Sequence, residues 1–442
     1  MSAVQPGSPL TSIVTTDLGA ITRGRAMATK RFDEGSAISI GWLPANISLT
    51  PFNGIATPNP WGSIGDLRLV ADASARYRTE GTGAATPFDM VIGDIVELDG
   101  TPWTCCPRTI LREAQEALKA ATGLTMIAAF EQEFQMLGVS SPPAHCLSFE
   151  ALRRLDPFGP MFMAALAEAG VEPETFLPEF GDGQFEITCR PAEALVAADR
   201  AVAIREIARE IARTMGWRAS FTPKSRPDAV GAGVHIHFSF RDASGNPATY
   251  HPDGPGGLAP KAEAFCAGIL RHMQAIVAFT ASSVPSYYRL RPHNWSSSYT
   301  WLAERNREAA LRICPTTSLF GQKPDGQFNI EYRAADATAN PYLALAAIIR
   351  AGLEGISTGA RIPAFTSDDP TTMTESQREA LGLRRLPETL SDALATLRAD
   401  PAATSWFDPR LVASFEGVKT AEIAAASGKT PEAVCETYGA IY

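Results

Sequence analysis

Seven cysteines in 442 residues are too few and too irregularly spaced for a disulfide framework. Cys105 and Cys106 are adjacent rather than spaced as C-x-x-C, which argues against a structural zinc site. A reduced cytoplasm is the natural compartment for such a chain. Positive charge is also short: 39 Lys and Arg face 48 Asp and Glu, and the net charge of −9 argues against a nucleic-acid partner. Acidic ligands then have to be met by local arginines. No apolar run approaches the roughly 20 residues that span a bilayer, so no membrane partner is expected. Met1 to Leu10 lacks a basic stretch followed by an apolar one, so no signal peptide is expected either. No P-loop, no G-x-S-x-G, no internal repeat and no low-complexity tract is found.

What is present is ordinary in bulk: 45% hydrophobic and 20% charged residues, in a length suited to about two domains. The first 106 residues are rich in Gly, Pro and Thr. Ile13-Val14, Ile38 to Trp42, Leu67 to Ala71 and Met90 to Leu98 read as strands, and Asp99-Gly100 as a tight turn before Trp103. Helical periodicity begins after Pro107, with Thr109 as the expected N-cap of a helix to about Ala121. The domains are therefore set at 1–106 and 107–442. Ile204, Ile207 and Ile211 mark a helix near 193–215, and Phe265, Ile269, Met273 and Ile276 another near 259–281. Asn340-Pro341 reads as an N-cap and first helical position, opening a buried helix through Leu343 to Ile349. Tyr250 to Pro260 reads as a surface loop.

Four short segments carry functional side chains two residues apart: Phe130 to Phe134, Gly183 to Ile187, Gly233 to His237 and Asn329 to Arg333. On a strand, residues i and i+2 share a face. Glu131 and Glu133 therefore point the same way, as do His235 and His237, and Glu331 and Arg333. Acids and imidazoles on apolar strands cost free energy unless a metal or an ion pair compensates them. One such pair could be an exposed strand edge or a satisfied core contact. Several together point to a cleft of Mg²⁺ or Mn²⁺ ligands suited to phosphoryl transfer.

Seven motifs in order resemble those of the glutamine synthetase superfamily, over about Asp17 to Leu397. Asp17-Leu18-Gly19 with Arg23-Gly24-Arg25 resembles its first strand pair, and Glu131-Gln132-Glu133-Phe134 its E-x-E-F strand. Glu179 to Glu186 resembles its paired-glutamate segment, and Gly231 to His237 its G-x-G-x-H-x-H. Ser286 to Leu290 is similar to S-Y-x-R-L, and Arg305 to Arg312 to R-N-R-x₄-R. Glu331 to Asp336 followed by Ala339-Asn340-Pro341-Tyr342 is similar to E-x-R…D…A-N-P-Y.

The resemblance implies an α+β fold: an N-terminal β-grasp domain and a larger catalytic domain of antiparallel strands backed by helices. It implies two metal ions per site or more, Mg²⁺ or Mn²⁺, with ATP as co-substrate. Glu133, Glu179 and Glu186 would hold one ion, and Glu131, His235 and Glu331 the other. His237, Ser239, Arg307 and Arg312 would face the nucleotide phosphates. Arg289 and Arg333 would clamp the carboxylates of L-glutamate, a task that suits the guanidinium fork. The Gly231 backbone would approach the substrate closely. The family assembles as stacked rings, commonly dodecamers, with sites between subunits, so a homo-oligomer is expected.

Three departures bear on the substrates. Trp295 stands where the family's flap carries a glutamate, and Phe52-Asn53-Gly54 resembles its F-D-G, so Asn53 replaces an aspartate that helps to bind ammonium. Val230 stands where an asparagine usually contacts the amino-acid substrate. The first two changes remove negative charge where ammonium would sit, which suits a primary amine with an apolar body, used in amine catabolism. Asn53 would act in trans. His293, beside the flap position, is a candidate base. No tyrosine lies in Leu383 to Leu397, so control by adenylylation is not expected. Two other readings stay open: a glutamine synthetase using ammonia, and a catalytically silent homologue kept for assembly or regulation.

Overall fold

The computed structural model describes residues 9–35, 37–140, 142–363 and 365–442. Met1 to Ser8, most of the stretch on which the signal-peptide reading rests, lie outside them. The N-terminal sheet has five strands: β1 (Leu10–Thr16), β2 (Thr22–Ala28), β3 (Ser39–Trp42), β4 (Leu67–Thr79) and β5 (Phe88–Val96). Their order is β2-β1-β5-β4-β3. β1 and β5 run parallel at its centre and the other neighbours are antiparallel. Asp17 shapes the β1–β2 turn: its Oδ1 accepts the N–H of Gly19 and of Ile21, both at 2.9 Å.

The next helix runs Pro107–Thr122, two residues ahead of the expected N-cap Thr109. Proline at the first helical position supplies a helical φ and lacks only an N–H that would be unpaired there, and no side chain caps this end. Gly123, at φ 72°, ends the helix in the left-handed region.

The remaining strands form one nine-stranded sheet: β6 (Thr125–Leu137), β7 (Pro173–Pro178), β8 (Gln184–Cys189), β9 (Ala192–Glu193), β10 (Arg218–Ser220), β11 (Val234–Arg241), β12 (Leu302–Glu304), β13 (Leu311–Ile313) and β14 (Ile330–Tyr332). The main path is β12-β13-β14-β11-β6-β8-β7, antiparallel except for β12 with β13, and β9 and β10 pair with β6. The four segments with period-two spacing fall on β6, β8, β11 and β14, neighbours in this sheet. The α+β architecture with a small N-terminal β domain is thus the observed one.

Period-two alternation sorts β6 into two faces. Phe130, Gln132 and Phe134 point into the core, where Gln132 donates to the carbonyl of Ala201 at 2.8 Å and Phe134 packs on Phe158, Phe162, Phe185 and Phe221. The helices Ala194–Thr214, Pro260–Thr280 and Pro341–Ser357 lie on this side. Glu131 and Glu133 are left on the other face.

Two polar clasps tie the small domain to the large one. Buried Arg108 donates to Asp72 of β4 (2.8 Å), Asp94 of β5 (3.0 Å) and both oxygens of Asp199 on the Ala194–Thr214 helix (3.0 and 2.9 Å). Asn340 caps the Pro341–Ser357 helix, accepting from the N–H of Tyr342 and Leu343, while its amide donates to the carbonyls of Thr16 and Asp17 at 3.0 Å. The A-N-P-Y motif therefore caps a helix and holds the end of β1 together. Among the described residues no helix is long and apolar enough to cross a membrane.

Candidate active site

Strand register brings the polar residues into one row across the sheet. Arg312 on β13 pairs with Glu331 on β14, Glu331 with His237 on β11, His235 with Glu131 on β6, and Glu133 with Glu186 on β8. His235 Nδ1 lies 3.2 Å from both Glu131 and Glu331, and His237 Nε2 lies 3.1 Å from Glu131. One ligand atom each from Glu131, Glu186 and His235 lies within 4.8 Å of the others, a geometry able to hold a metal ion; His237, Cys314 and Glu331 form a second such group.

The carboxylates differ sharply in electrostatics. Burial, then Glu179 and Glu131 nearby, pushes the Glu133 carboxyl up to about 8, despite the N–H of Gly233 that it accepts. Burial and the neighbouring Glu131 push Glu186 up as well. Glu131 is also buried, but hydrogen bonds from His235 and His237 hold its carboxyl far below the usual range. Glu331 is held at about 2 against burial by His235 and Arg333. Burial and the Arg333 charge depress His235 to about 4, leaving it a neutral imidazole at neutral pH. One end of the row is thus a cluster of acids with raised carboxyls, and the other is internally neutralised.

Two cavities open onto the row and both are lined by Glu131. The first, about 730 Å³, is lined by Glu133, Glu179, Glu186, His235, Arg289, Arg307 and Arg333, with Val230, Gly231, His293 and Trp295. The second, about 460 Å³, takes in His237 and Ser239. Most of the sequence candidates therefore line one or the other of two cavities that share Glu131. Three do not. Glu331 is fully buried, bonded to Arg312 and Arg333, and lines neither. Asn53 is exposed, at φ 65°, and lines neither cavity of its own chain. Arg312 is buried behind Glu331, to which it donates, and also lines neither.

The arginines are arranged unequally. Arg333 donates to Glu331 and, at 2.9 Å, to the carbonyl of Trp295. Arg289 donates through Nη2 to the carbonyls of Arg333 and Ala335, and its buried Nε has no hydrogen-bond partner. A side chain at Gly231 would put a Cβ 2.6 Å from Arg289 Cγ, so this glycine makes room for Arg289.

Glu308 fixes the loop that carries the flap position. Its carboxylate accepts the N–H of His293 at 3.0 Å and of Trp295 at 2.7 Å, and both residues sit at positive φ, 60° and 52°. The His293 ring is turned towards Asp369 and Thr371, 3.9 and 3.3 Å away. Glu308, Gln184 and Phe180 are functional candidates that sequence reasoning missed. Gln184 donates to Glu133 and to the Gly231 carbonyl, both at 2.9 Å, and its i−2 spacing from Glu186 was a usable signal. Glu308 and Phe180 left none, because loop contacts have no period.

Comparison with known proteins agrees with this geometry. Residues 104–438 match the model for the glutamine synthetase catalytic domain, and residues 3–103 that for the glutamine synthetase N-terminal domain. A gamma-glutamylpolyamine synthetase of Streptomyces coelicolor is 32% identical over 96% of this chain and 91% of its own. A glutamine synthetase of Thermococcus kodakarensis is 31% identical over 87% of this chain and 83% of its own. Among solved structures, a novel glutamine synthase homolog is 43% identical with a TM-score of 0.91, covering both chains fully. Ligand-free GmaS is 26% identical with a TM-score of 0.80, over 98% of this chain and 97% of that one.

Proposed function

This chain belongs to the glutamine synthetase family, and from that premise we propose that it joins the γ-carboxylate of L-glutamate to a primary amine through a γ-glutamyl phosphate. A carbon–nitrogen ligase is what membership establishes; the amine and the residue roles are the proposal. The observation that carries it is the cross-strand row, with an acid cluster and Arg289 in one cavity that meets a second at Glu131. Such a layout gives a carboxylic acid and a nucleotide separate entrances to one reaction centre.

The family depends in general on ATP and a divalent metal, and the residues here fit one. Burial, then the neighbouring glutamates, raises Glu133 and Glu186, a charge pattern that a bound cation would relieve, and oxygen donors with one imidazole suit Mg²⁺ or Mn²⁺. We assign Glu133, Glu179 and Glu186 to one ion and Glu131, His235 and Glu331 to the other. Ions held there would neutralise phosphate charge during transfer.

The protein's own side chains do the rest. Arg289 offers its guanidinium to a substrate carboxylate. His237 and Ser239 line the nucleotide cavity, and Arg307 lines the same cavity as the acids, close enough to act on Glu179. The glutamate γ-oxygen attacks the terminal phosphorus of ATP and ADP leaves. The amine nitrogen then attacks the acyl carbon, the C–O bond to phosphate breaks, and the amine gives up a proton. In sum, glutamate, ATP and R-NH₃⁺ yield the γ-glutamylamide, ADP, phosphate and H⁺. We assign Asn53, outside its own chain's cavities, to a neighbouring subunit's site in a ring homo-oligomer.

The amine reading is supported by the neutral Trp295 and Asn53 and by the likeness to the Streptomyces and GmaS proteins. The comparable identity to the Thermococcus glutamine synthetase favours ammonia as the second reading. Phosphate release with Mg-ATP and L-glutamate against ammonium, isopropylamine, ethanolamine, putrescine and aniline decides between them. Faster turnover with a substituted amine than with ammonium is expected. A preference for ammonium overturns the amine assignment.

A further inference from the structure

Four large apolar side chains stand at the exposed rim of the 730 Å³ cavity, beside Asp228, His293, Asn294 and Arg307. They are Leu147, Phe180, Val230 and Trp295, and each leaves about half its surface in solvent: 53, 48, 49 and 58%. Large apolar side chains gathered at one rim mark a surface awaiting a partner. Phe180 and Trp295 face each other with ring centroids 5.3 Å apart at 49°. Phe180 follows Glu179, and Trp295 comes from the loop fixed by Glu308, so the pair spans from the acid cluster to the flap position.

The mouth is also held at a cost. Leu147 and Trp295 lie at φ 56° and 52°, a region that bulky residues avoid. Strain of this kind persists only where surrounding contacts enforce it, and it gathers at ligand sites. Trp295 is enforced from both sides: its N–H donates to Glu308 at 2.7 Å and its carbonyl accepts from Arg333 at 2.9 Å.

Charge narrows the occupant. Of the acids lining this cavity, Glu131, Glu133, Glu179 and Glu186 lie at the reacting end. The fifth, Asp228, is exposed and already faces Arg226 at 3.3 Å. A second ammonium on a diamine would meet the apolar rim and one spoken-for carboxylate, and burying such a charge unpaired is costly.

We infer that this mouth is the subsite for the body of the amine and that it selects primary monoamines carrying an aromatic ring, of the aralkyl class. The inference rests on the ligase reading above. A ring stacked on Phe180 and Trp295 gains apolar burial and aromatic contact that a methyl group lacks.

The test is kcat/KM of the full chain with Mg-ATP and L-glutamate for benzylamine, methylamine, putrescine and ammonium. Benzylamine is expected to exceed methylamine by about tenfold or more, on the scale of a pocket filled or left empty. Phe180→Ala is expected to lower the benzylamine-to-methylamine ratio by about tenfold, and Trp295→Phe to keep more of that ratio than Trp295→Ala. A purely structural role for Phe180 would lower both rates equally, and an unchanged ratio overturns the subsite. An active enzyme that favours putrescine, methylamine or ammonium overturns the subsite but leaves the ligase reading standing. No phosphate release with any of the four overturns both.

Discussion

Glu133 and Glu186 stand directly opposite each other on β6 and β8, two buried carboxyls side by side. Burial and the surrounding acids raise Glu133 to about 8 and raise Glu186 too. A raised carboxyl stabilises the fold while protonated, and that contribution is lost as pH climbs through the folded value. A metal needs the ionised form, so binding must expel protons. Mn²⁺ affinity is therefore expected to rise from pH 6 through about 8, where Glu133 ionises, and to go on rising towards about 10, where Glu186 does. Calorimetry in buffers of different ionisation heat should show protons released per Mn²⁺ bound. Glu133→Gln should weaken binding and lower the proton count. A pH-independent affinity with no proton release would refute the linkage.

Glu308 is expected to act through the loop it holds. Glu308→Ala removes the acceptor for the N–H groups of His293 and Trp295, and nothing else then enforces their positive φ from that side. The kcat/KM for the amine should fall about tenfold or more, with the KM for ATP little changed. Amide exchange over residues 291–297 should quicken. Glu308→Gln keeps one acceptor oxygen and should fall between the two. Unchanged exchange in the alanine variant would count against this role.

The site was legible where strand geometry governs it. Spacing by two put Glu131 with Glu133 and His235 with His237, and one sheet does carry them in register. Where side chains turn in space, spacing says nothing. Arg312 and Glu331 sit at matching strand positions, but only the fold reveals that Arg312 points at Glu331 rather than into a cavity. Gly231 reads as room for a ligand, yet its missing side chain makes room for Arg289. Leu147 and Phe180 reach the mouth from connections between elements, which carry no period at all. In the fold, helix extents followed periodicity closely for Ala194–Thr214 and Pro260–Thr280. The helix at Pro107 began early because a proline opened it rather than a capping side chain.

Helix packing gives a stability test far from the chemistry. Gly268 on Pro260–Thr280 meets Gly355 on Pro341–Ser357, and an added Cβ at Gly268 would lie 2.8 Å from Gly355 Cα while colliding with the carbonyl of Ala351. These are backbone atoms and can yield only if the helices separate. Gly268→Ala is expected to destabilise the protein by about 1–3 kcal/mol, as overpacked interiors do. Chemical denaturation would measure it. A variant as stable as the parent would mean the crossing is looser than described.

Arg289 and Arg333 line the same cavity, but their bonding predicts different defects. Arg333 already spends its terminal nitrogens on Glu331 and the Trp295 carbonyl. It joins the neutralised end of the acid row to the strained loop. Arg289 uses Nη2 on backbone carbonyls, and its Nη1 lies towards Gly233, where a Cβ would be 3.0 Å away. Arg289 is thus the arginine with donors to spare for a substrate carboxylate. Lysine keeps the charge and loses the fork. Arg289→Lys should raise the KM for L-glutamate about tenfold or more, the scale of a lost charged hydrogen bond, with a smaller change in kcat. Arg333→Lys should act mainly on kcat, since it frees both Glu331 and Trp295. Steady-state kinetics on the two variants separates these roles. A glutamate KM raised by Arg333→Lys and untouched by Arg289→Lys would reverse the assignment.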